Sequence, residues 1–100
     1  MNKRKYKEFE EFLIEDLKDP KKAAAYIKTT LEDKEFDSLP QVLALVAKAH
    51  GITKLSKASG LAREHIYQLL GKGANPTLKS ISELLNAMGL EIMIAPKKHA

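Results

Sequence analysis

Glycine breaks cut the second half of this chain into helices of two or three turns. They fall at Gly51, at Gly60, at Gly71 or Gly73, and at Gly89. Between them apolar residues recur at helical spacing. Leu55 and Ala58 precede Gly60, and Ile66, Leu69 and Leu70 precede Gly71. Leu78, Ile81, Leu84, Leu85 and Met88 precede Gly89. Glycine after such a stripe suits the left-handed residue that closes a helix. Thr53 and Thr77 stand where the first and third of these helices need a cap. Helices this short are marginal alone in water, so they must pack on one another. The pattern points to a helical bundle.

The first half carries its own start signals. Tyr6, Phe9, Leu13 and Leu17 form one amphipathic stripe within a highly charged run. Asp19-Pro20 pairs a capping Asp with Pro at the first helical position. The helix it opens carries Ala23, Tyr26, Ile27 and Leu31 on one face and fades over Glu32–Asp37. Lys21 and Lys22 fall in its first turn, where the helix dipole disfavours cations, so this face is expected to meet something acidic. Ser38 and Gln41 have capping-box spacing. They open a helix through Val42, Leu43, Leu45, Val46 and Ala49 that stops at Gly51.

After Gly89 the period changes to two. Leu90, Ile92 and Ile94 alternate with Glu91 and Met93, which predicts a short strand ended by Pro96. A lone strand leaves backbone N–H and C=O groups without partners, and a second copy of the chain can supply them. Leu90, Ile92 and Ile94 are thus the expected dimerisation residues. The fold expected is mainly α: a bundle of five to six helices with one short C-terminal β-strand paired across a dimer. Residues 1–37 read as a helical extension, 38–95 as the main domain and 96–100 as a tail.

At 100 residues the chain is one domain, and 44% hydrophobic content is ordinary for a folded protein. Cysteine is absent, which excludes disulfides, thiolate zinc sites and a cysteine nucleophile. No apolar run approaches the roughly 18–20 residues of a membrane span, and the polar N-terminus does not read as a secretory signal. The expected location is the cytoplasm, with no membrane association.

The net charge of +4 is unevenly placed. Residues 1–50 balance 10 Lys+Arg against 10 Asp+Glu. The excess comes from Lys54, Lys57, Arg63, Lys72, Lys79, Lys97 and Lys98, set against Glu64, Glu83 and Glu91. A localised basic surplus suits a polyanion, because neutralised phosphates release condensed counterions. Residues 53–70, two short helices around Gly60, have the spacing of a helix-turn-helix. In it Leu55 and Ile66 face each other, Ser56 is small at the close approach, Leu61 plugs the turn and Ala62 takes the cap position. Arg63, Glu64, Tyr67 and Gln68 point outward as base readers, with His65 nearby. Arg can read guanine, Gln adenine and Glu cytosine, while Tyr can meet a thymine methyl. Thr53, Lys54, Lys57, Lys72, Asn75 and Thr77 flank them as phosphate contacts.

The run Thr53–Leu70 resembles the phage-repressor type of helix-turn-helix, the lambda-repressor-like and Xre/HigA-like kind. Together with Gly73-Ala74-Asn75-Pro76-Thr77, Ala87-Met88-Gly89-Leu90, Leu17-Lys18-Asp19-Pro20 and Ala23-Ala24-Ala25-Tyr26-Ile27, it resembles a narrower group, the addiction-module antidote proteins. The likeness covers roughly residues 12–95. Ser56 stands where such units usually carry Ala, and Ala62 where they carry Ser or Thr. The resemblance implies a type II antitoxin that represses its own operon at an inverted repeat and neutralises a toxin of the RelE/ParE type. A toxin contact is expected on residues 16–37, at Lys22, Tyr26, Ile27 and Leu31. The mixed cationic and apolar helix there suits a protein groove, and Glu32, Asp33, Glu35 and Asp37 suit a basic toxin.

Other constellations carry less. His50, His65 and His99 match no zinc spacing, and His50 suits a helix C-terminus. Glu8, Glu10, Glu11 and Glu15 read as a solvated helix face. Met88 and Met93 read as packing, and so does Tyr26 unless it contacts a partner. With no phosphate loop or nucleophile elbow, neither an enzyme nor a cofactor is expected. Two alternatives stand beside the antitoxin: a stand-alone helix-turn-helix regulator with no toxin, and a module that binds only protein.

Overall fold

Asp19 accepts a hydrogen bond from the Lys21 N–H at 2.9 Å, and Pro20 follows at the first helical position. This local chemistry fixes the start of one of the six α-helices among the described residues. The structure is a computed structural model that describes residues 3–98. The helices are α1 (Lys3–Asp16), α2 (Pro20–Glu32), α3 (Leu39–His50), α4 (Ile52–Ser59), α5 (Arg63–Leu69) and α6 (Leu78–Ala87). A 3-10 turn at Phe36–Ser38 leads into α3. His99 lies outside the described residues.

The core is built around α3. Leu43, Leu55, Ile66 and Leu84 are its largest fully buried side chains, one each from α3, α4, α5 and α6. Val42, Val46 and Ala47 join them, and Leu17, Ala23 and Ile27 belong to the same cluster. The N-terminal third therefore shares one core with the rest. Thr30 is buried on α2, and its hydroxyl donates to the Tyr26 carbonyl at 3.1 Å.

Two helices close in the same way. At the end of α6 the Leu90 N–H donates to the Leu85 carbonyl at 2.8 Å and the Gly89 N–H to the Asn86 carbonyl at 3.0 Å. Gly89 at φ 80° supplies the left-handed residue between them. At the end of α2 the Glu35 N–H reaches the Thr30 carbonyl and the Lys34 N–H the Leu31 carbonyl, both at 3.1 Å. There the left-handed position is held by Lys34 at φ 57°.

The structure corrects several expectations. No strand occurs among the described residues, and 90–96 take no regular structure. The alternation there is genuine, but a strand exists only through ladder hydrogen bonds to a neighbour. Ile94 is 91% exposed. Ser38 makes no side-chain cap bond, because its backbone is already helical (φ −88°, ψ −10°) as the 3-10 turn runs into α3. Thr53 does not cap α4 either. Gly51 turns the chain directly from α3 into a helix beginning at Ile52. On α1 the stripe is covered at one end only: Leu17 is buried and Leu13 half-buried, while Tyr6 and Phe9 are exposed. Leu78, the first apolar residue of its stripe, is also exposed.

Candidate nucleic-acid interface

Helices α4 and α5 are joined by Gly60, Leu61 and Ala62. Gly60 is left-handed (φ 76°), and a Cβ there would meet nothing within 4 Å. Its role is therefore conformational, because other residues rarely adopt that φ. The Ser56 hydroxyl donates to the Leu61 carbonyl at 2.6 Å, and the Leu61 N–H donates to the Ser59 hydroxyl at 3.1 Å. Both serines thus hold the turn by hydrogen bonds. Sequence reasoning gave Ser56 a steric role and missed the bond; its signal is a hydroxyl where packing alone would accept Ala. Ala62 takes the cap position with extended backbone (φ −64°, ψ 147°) and, lacking a side-chain oxygen, makes no cap bond.

Behind the turn, Leu55 and Ile66 are fully buried and Leu61 packs against the core. Burial of Ile66 fixes the rotation of α5. Arg63, Glu64, Tyr67 and Gln68 consequently all lie exposed, as does His65. Thr53, Lys54 and Lys57 are exposed on α4. Lys72, Asn75 and Thr77 are exposed in or beside the segment between α5 and α6. Thr77 also caps α6, its hydroxyl oxygen accepting the Ser80 N–H at 3.1 Å. Leu90, Ile92 and Ile94 lie together beyond α6, with Leu90 half-buried against the core.

Ion pairing divides the molecule. Among the described residues the ion pairs are Arg4–Glu8, Lys18–Glu15, Lys22–Asp16, Lys28–Glu32 and Lys48–Glu10, all within the first half. Lys54, Lys57, Arg63, Lys72 and Lys79 appear in none of them. These cations keep their charge available for an external anion.

The N-terminal candidates are placed differently. Lys22 is exposed and its ammonium donates to an Asp16 carboxylate oxygen at 2.7 Å. That hydrogen bond first, and the Asp16 charge second, hold the Lys22 pKa above its ordinary value. The acidic group expected opposite this turn is therefore supplied by the end of α1. Tyr26 is half-buried, Ile27 is buried in the core and Leu31 is exposed. His50 ends α3, as its sequence position suggested. No group of three or more His, Cys, Asp or Glu that could hold a metal occurs among the described residues. Nor is any described helix long and apolar enough to cross a membrane.

The class defined by this fold and surface is a small helical domain in which the exposed cations of α4 to α6 take part in no ion pair among the described residues. Within that class the chain belongs to an addiction-module antidote family: the family profile described as "Probable addiction module antidote protein" matches residues 5–96. The chain is also 21% identical over 88 residues to a Haemophilus influenzae (strain KW20 / Rd) protein described as "Uncharacterized protein". That alignment covers 88% of this chain and 91% of the relative. No solved structure matches the chain. The family suggests a regulatory role and implies a toxin as partner in general terms.

Proposed function

We propose that this chain is the DNA-binding antitoxin of a type II toxin–antitoxin module. A homodimer binds an inverted repeat in its own operator through the helix-turn-helix of α4 and α5 and represses the operon. The same chain neutralises a toxin of the RelE/ParE type. The observation that carries the DNA half is the cationic surface: Lys54, Lys57, Arg63 and Lys72 lie exposed around α5 and take part in no ion pair among the described residues. Arg63, Glu64, Tyr67 and Gln68 read bases, while Thr53, Lys54, Lys57, Lys72, Asn75 and Thr77 hold phosphates. Family membership supports the toxin half. The N-terminal half faces the toxin, where Lys22, Tyr26 and Leu31 reach the surface and Ile27 supports them from the core.

A mobility-shift assay on the DNA upstream of its gene tests the DNA half. Retardation of that DNA at salt concentrations where unrelated DNA runs free is the expected result. Equal affinity for both would reject operator recognition. Co-expression with the product of the adjacent gene tests the toxin half: growth arrest by that product alone and rescue by this chain are expected.

A further inference from the structure

We infer that the groove between α1, α2 and the start of α3 is the seat of a basic amphipathic segment of the partner toxin. This rests on the antitoxin reading above and gives the contact a surface and a chemistry.

The groove is open, with a volume of about 750 Å³. Its apolar lining includes Tyr6, Phe9 and Leu13 from α1, Tyr26 from α2 and Leu45 from α3. Tyr6 and Phe9 are 62% and 59% exposed, although they continue the stripe that buries Leu17. Large aromatic side chains left uncovered along one helix face mark a surface that a partner covers.

The rim decides what that partner is. Glu10, Asp16, Asp33 and Glu35 line it, with Lys22 as the cation among the lining residues. Lys22 is engaged by Asp16, and Glu10 by Lys48 from outside the groove. Asp33 and Glu35 take part in no ion pair among the described residues. An apolar floor beside two uncompensated carboxylates complements a helix that presents apolar residues on one face and Lys or Arg at its edge. The groove is separate in sequence from α5, so DNA and toxin need not compete for one set of residues.

Two measurements on the full chain test this. In the first, fluorescence anisotropy follows a labelled amphipathic Leu/Lys helical peptide and its Leu/Glu counterpart. The Leu/Lys peptide is expected to bind about tenfold tighter or better, and to lose that advantage in Asp33→Lys/Glu35→Lys and its affinity in Tyr6→Ser/Phe9→Ser. These four side chains are exposed, and retained helicity and an unchanged melt verify each variant's fold. Equal binding of the two peptides, or unchanged binding by the Tyr6→Ser/Phe9→Ser variant, overturns the inference. So does a self-associated mass, by analytical centrifugation, that collapses in that variant, since the occupant is then a second copy.

The second measurement co-expresses the adjacent toxin. Rescue by the parent but not by Tyr6→Ser/Phe9→Ser supports the groove. Rescue by both overturns the groove and leaves the antitoxin reading standing. No rescue by the parent rejects the antitoxin reading, and with it the toxin as occupant.

Discussion

The Ser56 hydroxyl donates to the Leu61 carbonyl at 2.6 Å, tying the second turn of one short helix to the residue that leads into the next. The bond spans the left-handed Gly60 and gives a partner to the carbonyl of Leu61, which lies outside both helices. Ser56→Ala is expected to cost about 1 kcal/mol, the net worth of a neutral hydrogen bond. In a domain of this size that lowers the melting temperature by roughly 4–8 °C. An unchanged melt would show that water replaces the serine at no cost.

Lys34 holds a position that chemistry reserves for glycine. It sits at φ 57° between the two hydrogen bonds that close α2, and a side chain there crowds its own backbone. Lys34→Gly relieves that strain but raises the entropy of the unfolded chain, which offsets part of the gain. The net expectation is a gain of about 0.5–1 kcal/mol, read as a higher urea midpoint with an unchanged slope. A lower midpoint would mean that the lysine side chain contributes more than its backbone costs.

Local chemistry was the legible part of this fold. Asp19-Pro20, Thr77 and Gly89 each act within a few residues of themselves, and each is found doing what its type suggests. Gly60 was legible for the same reason, whereas Leu55 and Ile66 were legible from the helical period of their apolar neighbours. What failed depended on something beyond the segment. Ser38 and Thr53 have capping residues' chemistry, but the preceding chain already runs helically or turns early. The alternation at 90–94 specifies a strand only if another strand lies beside it. Tyr6 and Phe9 obey the helical period, yet period reports which residues share a face and not whether anything covers it. Lys22 pointed to an acidic neighbour, and no pattern rule ranked Asp16, six residues upstream, above an external partner.

The candidate base readers and phosphate contacts should separate by salt and sequence. Arg63→Ala and Gln68→Ala are each expected to cost about 1–3 kcal/mol on operator DNA and to relax preference at one base pair. Lys54→Ala or Lys57→Ala should weaken all sequences alike and reduce the slope of log affinity against log salt by about one. Mobility shifts at several salt concentrations, on operator and scrambled DNA, measure both. Equal losses on both DNAs in Arg63→Ala would remove it from the base-reading set.

The Lys22–Asp16 pair gives a dependence on pH of known sign. Folding raises the Lys22 pKa above its ordinary 10.5. The pair's contribution is therefore complete below that value and is lost as pH rises through the higher folded one. Lys22→Met should melt slightly below the parent at neutral pH, and the gap should close above pH 10.5. Added salt should narrow it at any pH, because both partners are open to solvent. A gap that persists unchanged at high pH would assign the effect to packing of the side chain's stem.

Removing residues 1–36 tests whether the first two helices are an arm or part of the bundle. Leu17 and Ile27 are 3% and 8% exposed and lie in one cluster with Leu43. Taking away two large buried side chains removes about 3–6 kcal/mol of burial, at roughly 1.5–3 kcal/mol each, before Ala23 is counted. That approaches the whole stability of a small domain, which is about 5–15 kcal/mol. A chain beginning at Asp37 is therefore expected to melt without a cooperative transition and to bind a hydrophobic dye. A sharp melt near the parent's would show that α3 to α6 stand alone. The expected outcome also decides how toxin binding must be probed. A truncation that unfolds the protein abolishes every interaction at once, whereas substitutions at the exposed rings of Tyr6 and Phe9 leave the core intact. Loss of neutralisation with retained operator binding, in one and the same variant, is what distinguishes a toxin contact from a folding defect.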